Sequence, residues 1–323
     1  VTGVDRVLNA DFEQQMLLLA ADVPETVAAD SGLVLDLYWQ APEAVDQEYS
    51  SSVVVVDQRG LIVGQSDKQH PGVIPTTRWG TDEYARDRHR LQLLPGTPPG
   101  DYEVRVRMYR YGRPEDRLNV LDESGAPAGQ KLAIASLAVE RPEIPADLAD
   151  IAVDQRVDWP AGEGFLLAGY SLPSGPVQAG EPLFLELYWL TTDEIAADEQ
   201  MTIELVDDQG RVAHSFEAPL VDGLPSSTWR PDDLWRAAHV WRLPASTAGG
   251  DYGITLRLDE DRSLPLGAIT VTAPDHVLAP PDVAFPADID FGNAGSDAVA
   301  RLVGYDVTQT AGPGQPLPVT LSW

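Results

Sequence analysis

The sequence predicts an all-β chain of tandem immunoglobulin-like β-sandwich modules, two complete and a third truncated, arranged as an elongated array. Three observations predict it. Short runs alternate apolar and polar residues with period two, Gly, Pro and Asp clusters separate the runs, and one ordered set of them recurs 150 residues later, from Leu33 to Leu183.

The repeat is legible residue by residue. Leu33-Val-Leu-Asp-Leu-Tyr-Trp39 returns as Leu183-Phe-Leu-Glu-Leu-Tyr-Trp189, with Leu33, Leu35, Leu37 and Trp39 expected on the buried face. At the same offset Val56-Asp-Gln-Arg-Gly60 aligns with Val206-Asp-Asp-Gln-Gly210, Pro75-Thr-Thr-Arg-Trp79 with Pro225-Ser-Ser-Thr-Trp229, and Gly100-Asp-Tyr102 with Gly250-Asp-Tyr252. A third copy starts at Leu302-Val-Gly-Tyr305, matching Leu167-Ala-Gly-Tyr170, and ends at Trp323, the counterpart of Trp189.

In the first copy the strands are expected at 16–20, 33–39, 52–56, 61–66, 88–93, 101–109 and 132–139, about the seven short strands of an immunoglobulin-like sandwich. Asp57 and Gly60 have hairpin-turn chemistry, since Asp caps a turn with its side chain and Gly accepts positive φ without steric cost. The same reading applies to Asp207 and Asp208, in preference to a calcium site. Tyr102, opening a late strand after Pro98-Pro-Gly-Asp, has the position of a tyrosine corner, and Tyr252 repeats it. The copies differ most after this strand, where residues 111–130 of the first are replaced by a short turn around 259–263. An excursion of that size is expected to cover an edge strand or meet a neighbour.

Proline-rich joints set the boundaries. Residues 1–142 form module 1 with its late loop 111–130, 143–148 a linker, 149–275 module 2, 276–284 a second linker, and 285–323 the start of module 3. The joints lack periodicity and are expected to be extended, semi-rigid connections.

Composition excludes several partners. With 22 basic and 51 acidic residues the formal net charge is −29, a field that repels phosphate backbones and argues against nucleic acid. Lys68 and Lys131 are the only lysines, so no polybasic segment exists to hold a membrane surface. No run approaches the roughly 20 apolar residues that span a bilayer, so direct membrane insertion is not expected. Cysteine is absent, which removes disulfides, thiolate metal sites and a cysteine nucleophile. Residue 1 is valine and nothing near it resembles a signal peptide, so the chain reads as a processed product or an excised piece.

No catalytic constellation stands out. Gly-x-Ser-x-Gly does not occur, and the histidines at 70, 89, 214, 239 and 276 have no metal-ligand spacing. His89 and His239 match at the repeat offset, which fits a shared packing role. The Asp288–Asp297 stretch superficially resembles a calcium loop but lacks the distal glutamate of an EF-hand, and a plain strand entry is the simpler reading. No cofactor or metal is expected. The surface-site candidates are Trp229, Trp235 and Trp241 of the second copy, because exposed aromatic rings can stack on sugar faces, with packing inside the module or against its neighbour as the alternative.

Leu-x-Gly-Tyr, Leu-x-Leu-x-Leu-Tyr-Trp, Pro-Thr-Thr-Arg-Trp and Pro-Pro-Gly-Asp-Tyr together resemble a β-sandwich module of bacterial extracytoplasmic proteins. It occurs at the C-terminal ends of some membrane glycosyltransferases of the dolichyl-phosphate-mannose mannosyltransferase type. The likeness spans nearly the whole chain; the first copy departs from it with Leu19-Ala20 in place of Gly-Tyr, and no family catalytic residue is available to carry over. It implies a non-catalytic structural or interaction segment at the cell surface, whose partner is a protein or a glycan. The alternatives are a carbohydrate-binding accessory region of an envelope glycosyltransferase or hydrolase, and an assembly subunit that exchanges strands or self-associates through the truncated third module.

Overall fold

In the computed structural model, residues 4–273, 282–291, 300–307 and 319–322 are described. The joint at 276–281, the oxygen-rich stretch beyond Phe291 and Trp323 lie outside them. The chain is all-β. The strands up to Thr272 belong to one compact unit, and those beyond it to a second.

The first unit begins with β1 (Arg6–Phe12), β2 (Met16–Asp22), β3 (Thr26–Ala28), β4 (Gly32–Gln40), β5 (Tyr49–Val56), β6 (Ile62–Lys68), β7 (Tyr84–Gln92), β8 (Gly100–Arg110), β9 (Arg113–Arg117), β10 (Val120–Leu121), β11 (Pro127–Gly129) and β12 (Leu132–Glu140). They form two sheets, β11-β10-β1-β2-β4-β7 and β3-β12-β8-β5-β6, with β9 pairing on β8. Side chains from both sheets fill one core, including Leu33, Leu35, Leu37 and Trp39 from β4 and Val104, Val106 and Met108 from β8. The strict period of two in these strands puts every second residue on the shared face.

A second sheet pair follows: β13 (Gln155–Gly162), β14 (Phe165–Ser171), β15 (Val177–Gln178), β16 (Pro182–Thr191), β17 (Gln200–Val206), β18 (Val212–Pro219), β19 (Leu234–Arg242), β20 (Gly250–Arg257) and β21 (Ser263–Thr272). Its sheets run β13-β14-β16-β19 and β15-β21-β20-β17-β18 around a separate core. In the other unit β22 (Phe285–Phe291), β23 (Ala300–Val307) and β24 (Val319–Ser322) make a three-stranded antiparallel sheet, with the Phe285 and Tyr305 rings stacked 5.1 Å apart.

Local chemistry explains the turns. Asp57 Oδ1 accepts from the backbone N–H of Arg59 and Leu61 with Gly60 at φ 85°, and Asp207 Oδ1 accepts from Gln209 and Arg211 with Gly210 at φ 77°. These aspartates are turn caps. Tyr102 donates its hydroxyl to Pro98 O at 2.8 Å and Tyr252 to Ala248 O at 2.9 Å, so both tyrosine-corner bonds are present. Trp79 and Trp229 each donate Nε1 to the carbonyl five residues upstream, Ile74 O and Leu224 O, and tie the loops before β7 and β19 to the cores.

The 111–130 excursion is structured rather than a loop. After β9 it drops Leu118 and Val120 into the core and lays β10 against the outer edge of β1, Val120 opposite Phe12. In the second pair, which lacks it, the Arg262 guanidinium reaches Ala161 O at 2.8 Å on the corresponding edge of β13. The core also rearranges. Phe12 packs edge-on to Trp39 at 5.3 Å; in the second pair Gly162 stands at the position of Phe12, and Phe165 meets Trp189 at 5.9 Å. A Cβ on Gly162 would lie 2.3 Å from the Phe165 ring, so the glycine makes room for the relocated phenylalanine.

Replacing either corner tyrosine by phenylalanine removes one part-buried hydrogen bond to a backbone carbonyl. Tyr102→Phe and Tyr252→Phe are each expected to lower stability by about 1 kcal/mol, seen as a reduced urea midpoint at unchanged slope.

Candidate interaction site at the joint between the sheet pairs

The three tryptophans do not form a surface cluster. Trp229 and Trp235 are 3% and 1% exposed and belong to the second core, the former edge-on to Phe165 and the latter opposite Trp189 in register. Neither ring offers a face for stacking on a sugar. Trp241 is half-buried, its ring stacked on Phe216 at 6.1 Å with the His214 ring edge-on at 6.4 Å. Alternation decides this: Trp235 and Trp241 are six residues apart on one strand and face inward together.

What covers Trp235 is the chain's own joint. Arg141, just past β12, sets its guanidinium over the Trp235 ring, 5.2 Å from the centroid, donates to Thr228 O at 3.0 Å and pairs with the buried Asp233 carboxylate. A guanidinium suits this place because its planar fork can stack and bond two acceptors at once. The joint expected to be an extended, semi-rigid connection is packed against the second pair. Ile144 N donates to Asp30 Oδ2 at 3.2 Å, and Ala146, Leu148, Ile151 and Val153 lie with Ala168, Tyr188 and Leu234 in a small apolar cluster on the outer face of the second pair. Proline-rich composition predicts missing periodicity, not missing contacts.

Two further contacts cross the joint. Arg59, at the β5–β6 hairpin, pairs with Asp222 in the loop before β19. The Arg236 backbone N–H donates to Gly96 O at 2.7 Å, on the exposed edge of β19. Gly96 has φ 78°, and a Cβ there would lie 3.0 Å from Arg236 N, so the approach requires glycine. Between these contacts lies a cleft of about 430 Å³ lined by Asp57, Arg59, Pro98, Tyr102, Asp222 and Arg236 among others. Both of its arginines are paired: Arg59 with Asp57 and Asp222, and Arg236 with Glu186.

The densest titratable cluster lies elsewhere, in the first pair. Asp87 and His89 are both fully buried. Asp87 accepts from Ser51 Oγ at 2.7 Å, Lys68 Nζ at 2.8 Å and Gly72 N at 3.1 Å, and stands 3.0 Å from His89 Nε2; His89 Nδ1 lies 3.1 Å from Ser66 Oγ. The Ser, His and acid absent from any sequence motif do meet here. Burial raises the Asp87 pKa, but the bonds from His89, Lys68 and Ser51 more than reverse that and hold it at about 2. With both Asp87 oxygens occupied, the cluster ties β5, β6 and β7 together. Its scatter over three strands and a loop is why spacing alone could not reveal it.

His239 takes the corresponding place on β19 without a carboxylate partner. Nε2 meets Leu220 O at 3.3 Å and Nδ1 has no hydrogen-bond partner, so burial pushes its pKa down to about 4 against a smaller opposing pull from Asp222. Among the described residues no group of three or more His, Asp or Glu side chains is placed to hold a metal ion.

No family model and no curated protein matches the chain. Among solved structures it is similar to red sea bream transglutaminase, at 10% identity and a TM-score of 0.23, over 83% of this chain and 32% of that one. The chain thus spans about a third of that protein's length, and the likeness is too weak to carry an argument.

Two measurements follow from these groups. An unfolded histidine titrates near 6.5, so the folded state loses about 3 kcal/mol as pH falls from about 6.5 to about 4, where the unfolded chain binds the proton that buried His239 refuses. His239→Leu flattens that part of the stability–pH curve. Asp87 acts at lower pH: its contribution of about 2 kcal/mol is present above the usual carboxylate value and lost as pH falls through about 2, and Asp87→Asn abolishes that limb. Separately, Arg141→Ala leaves Asp233 short of its cation and is expected to cost about 2 kcal/mol in chemical denaturation, with Arg141→Lys restoring only part.

Proposed function

We propose that this chain is a non-catalytic structural and interaction segment of an extracytoplasmic, cell-surface protein, built from immunoglobulin-like sandwich modules in tandem. The observation that carries this reading is the joint. A stacked arginine, two ion pairs and a backbone bond through a required glycine fasten the two sheet pairs to each other, an investment that suits a spacer holding surfaces at fixed separation. The tryptophans singled out for sugar stacking support it too, since two belong to the core and the third is packed on Phe216. The buried Ser51, Asp87 and His89 set has its bonding capacity spent on holding strands together, and both arginines of the joint cleft are paired internally.

The reading has a direct test. The chain lacks cysteine, so spin labels can be placed at Ser124→Cys on the first pair and Ser215→Cys on the second, both exposed. The wild-type background is expected to give one narrow distance distribution, which broadens when Gly96→Val and Arg141→Ala are combined. A broad distribution without those changes would remove the spacer reading. Location is tested with an antibody against the exposed 122–130 hairpin, which should label intact cells of the source organism. Titrating tryptophan fluorescence with envelope glycans should give a flat response, whereas a saturable shift lost in Trp241→Ala would favour the carbohydrate-binding alternative.

A further inference from the structure

The outer face of the β3-β12-β8-β5-β6 sheet differs in charge from its counterpart in the second sheet pair. On β8, Glu103, Arg105, Arg107 and Tyr109 alternate with buried residues and share that face. Arg107 lies opposite Ser52 in register, as Arg257 lies opposite Thr202 in the second pair. Arg257 donates Nε and Nη2 to Glu204 at 2.9 and 3.0 Å, but Val54 stands at the position of Glu204 and leaves Arg107 without that carboxylate. Arg105 and Tyr109 likewise stand where the second pair has Thr255 and Asp259. Among the described residues Arg107 makes no hydrogen bond or ion pair, and its Nε is buried. Burial and the neighbouring Arg117 and Arg105 push its pKa down, against an opposing pull from Asp67. Arg117, opposite Tyr109 on β9, donates Nε to Pro114 O at 3.0 Å and pairs with no described carboxylate. Residues 105–117 hold five arginines against two acids, in a chain of net charge −29.

Beside these guanidiniums lies a cleft of about 270 Å³ lined by Ser50, Lys68, Gln69, Tyr109, Tyr111 and Pro114 among others. Tyr111 is 48% exposed and the His70 ring tilts against it at 5.7 Å, which fixes an aromatic surface at the cleft. Asp67 is the only carboxylate on the lining, held by Gln65 Nε2 at 2.6 Å. We propose that Arg107, Arg117 and this cleft bind a short acidic oligosaccharide, with uronate carboxylates on the guanidiniums and a sugar ring against Tyr109 and Tyr111. A planar guanidinium matches a carboxylate, a tyrosine ring covers the apolar C–H face of a sugar, and Gln69 and Asp67 supply partners for hydroxyls. The ligand's carboxylate takes the part on Arg107 that Glu204 plays on Arg257. A short ligand suits the site better than a long polyanion, which the charge on the rest of the chain repels. The proposal rests on the interaction-segment reading above and gives its partner a chemistry. None of the residues lining the cleft is a tryptophan, so the flat tryptophan response expected above is compatible with binding here.

Isothermal titration of the full chain with trigalacturonate tests this. Saturable binding at a single site is expected, weaker as salt rises, and about tenfold weaker in Arg107→Gln, which loses one charge-assisted contact. Val54→Glu gives Arg107 the carboxylate that Arg257 already has; it should abolish binding, with a urea midpoint no lower than wild type showing that the fold survives. Tyr111→Ser changes an exposed side chain and should weaken binding several-fold without changing stability. Affinity for neutral galactotriose or for triglutamate equal to that for trigalacturonate would overturn the proposal, as would sulfate binding as tightly, which marks an adventitious ion only. Unchanged affinity in both Arg107→Gln and Val54→Glu would overturn it too. Spin-label distances report the joint and titration reports one face of the first pair, so failure of this site and failure of the spacer reading are separately visible.

Discussion

A sheet edge carries a row of N–H and C=O groups that need partners, and the way each edge is closed accounts for most of what distinguishes the two sheet pairs. The first pair closes the β1 edge with backbone, running its excursion out through β9 and back as β10 and β11. The second closes the β13 edge with a side chain, one guanidinium on Ala161 O. The β19 edge is met by a carbonyl from the other pair, Gly96 O on Arg236 N, so the joint is itself an edge closure. A backbone bond at a sheet edge sets direction as well as distance, so this closure constrains how the two pairs meet.

Core packing obeys the same economy of position. Trp39 and Trp189 sit fully buried on equivalent strands, and each needs an aromatic edge against it. The first pair supplies it from β1, the second from β14, and the vacated place becomes Gly162 because both rings cannot fit. Interiors at crystal-like density allow such an exchange only if volume is conserved across it. The edge difference and the core difference are linked, since the strand that gives up its phenylalanine is the one capped by arginine rather than by backbone.

Period-two alternation made β2, β4, β8 and β12 legible, to within two residues at their ends, and the corner tyrosines and hairpin aspartates were readable from local turn chemistry. β1 was not. Asn9 sits at φ 51° inside it, and the register shifts between Val7 and Ala10, so the alternation that marks a strand is broken where it would have to be counted. The candidate tryptophans were visible as residues but not as buried ones, because an aromatic on a strand looks alike from either face until the register is known. Arg141 gave almost no signal, a single arginine before a proline. The Asp87–His89 cluster gave none, since Ser51, Ser66 and Lys68 come from strands whose pairing the sequence does not state.

Composition acquires a structural meaning in this light. Of the 22 basic residues only two are lysine, which as a bulk property looks like an accident of an acidic chain. At the joint and edges, however, each cation has to bind more than one acceptor in a fixed plane. Arg141 takes a carboxylate, a carbonyl and a ring face; Arg262 takes Asp259, Glu199 and a carbonyl; Arg59 bridges Asp57 and Asp222 across the joint. Lysine presents a single ammonium and cannot meet those demands in one plane. Lys68 is the exception that fits the rule, because the buried Asp87 it serves has Ser51, His89 and a backbone N–H around its carboxylate and leaves room for a point charge only. The bias toward arginine is thus what a pair of sheets needs when it is fastened through side chains and has no disulfide to draw on.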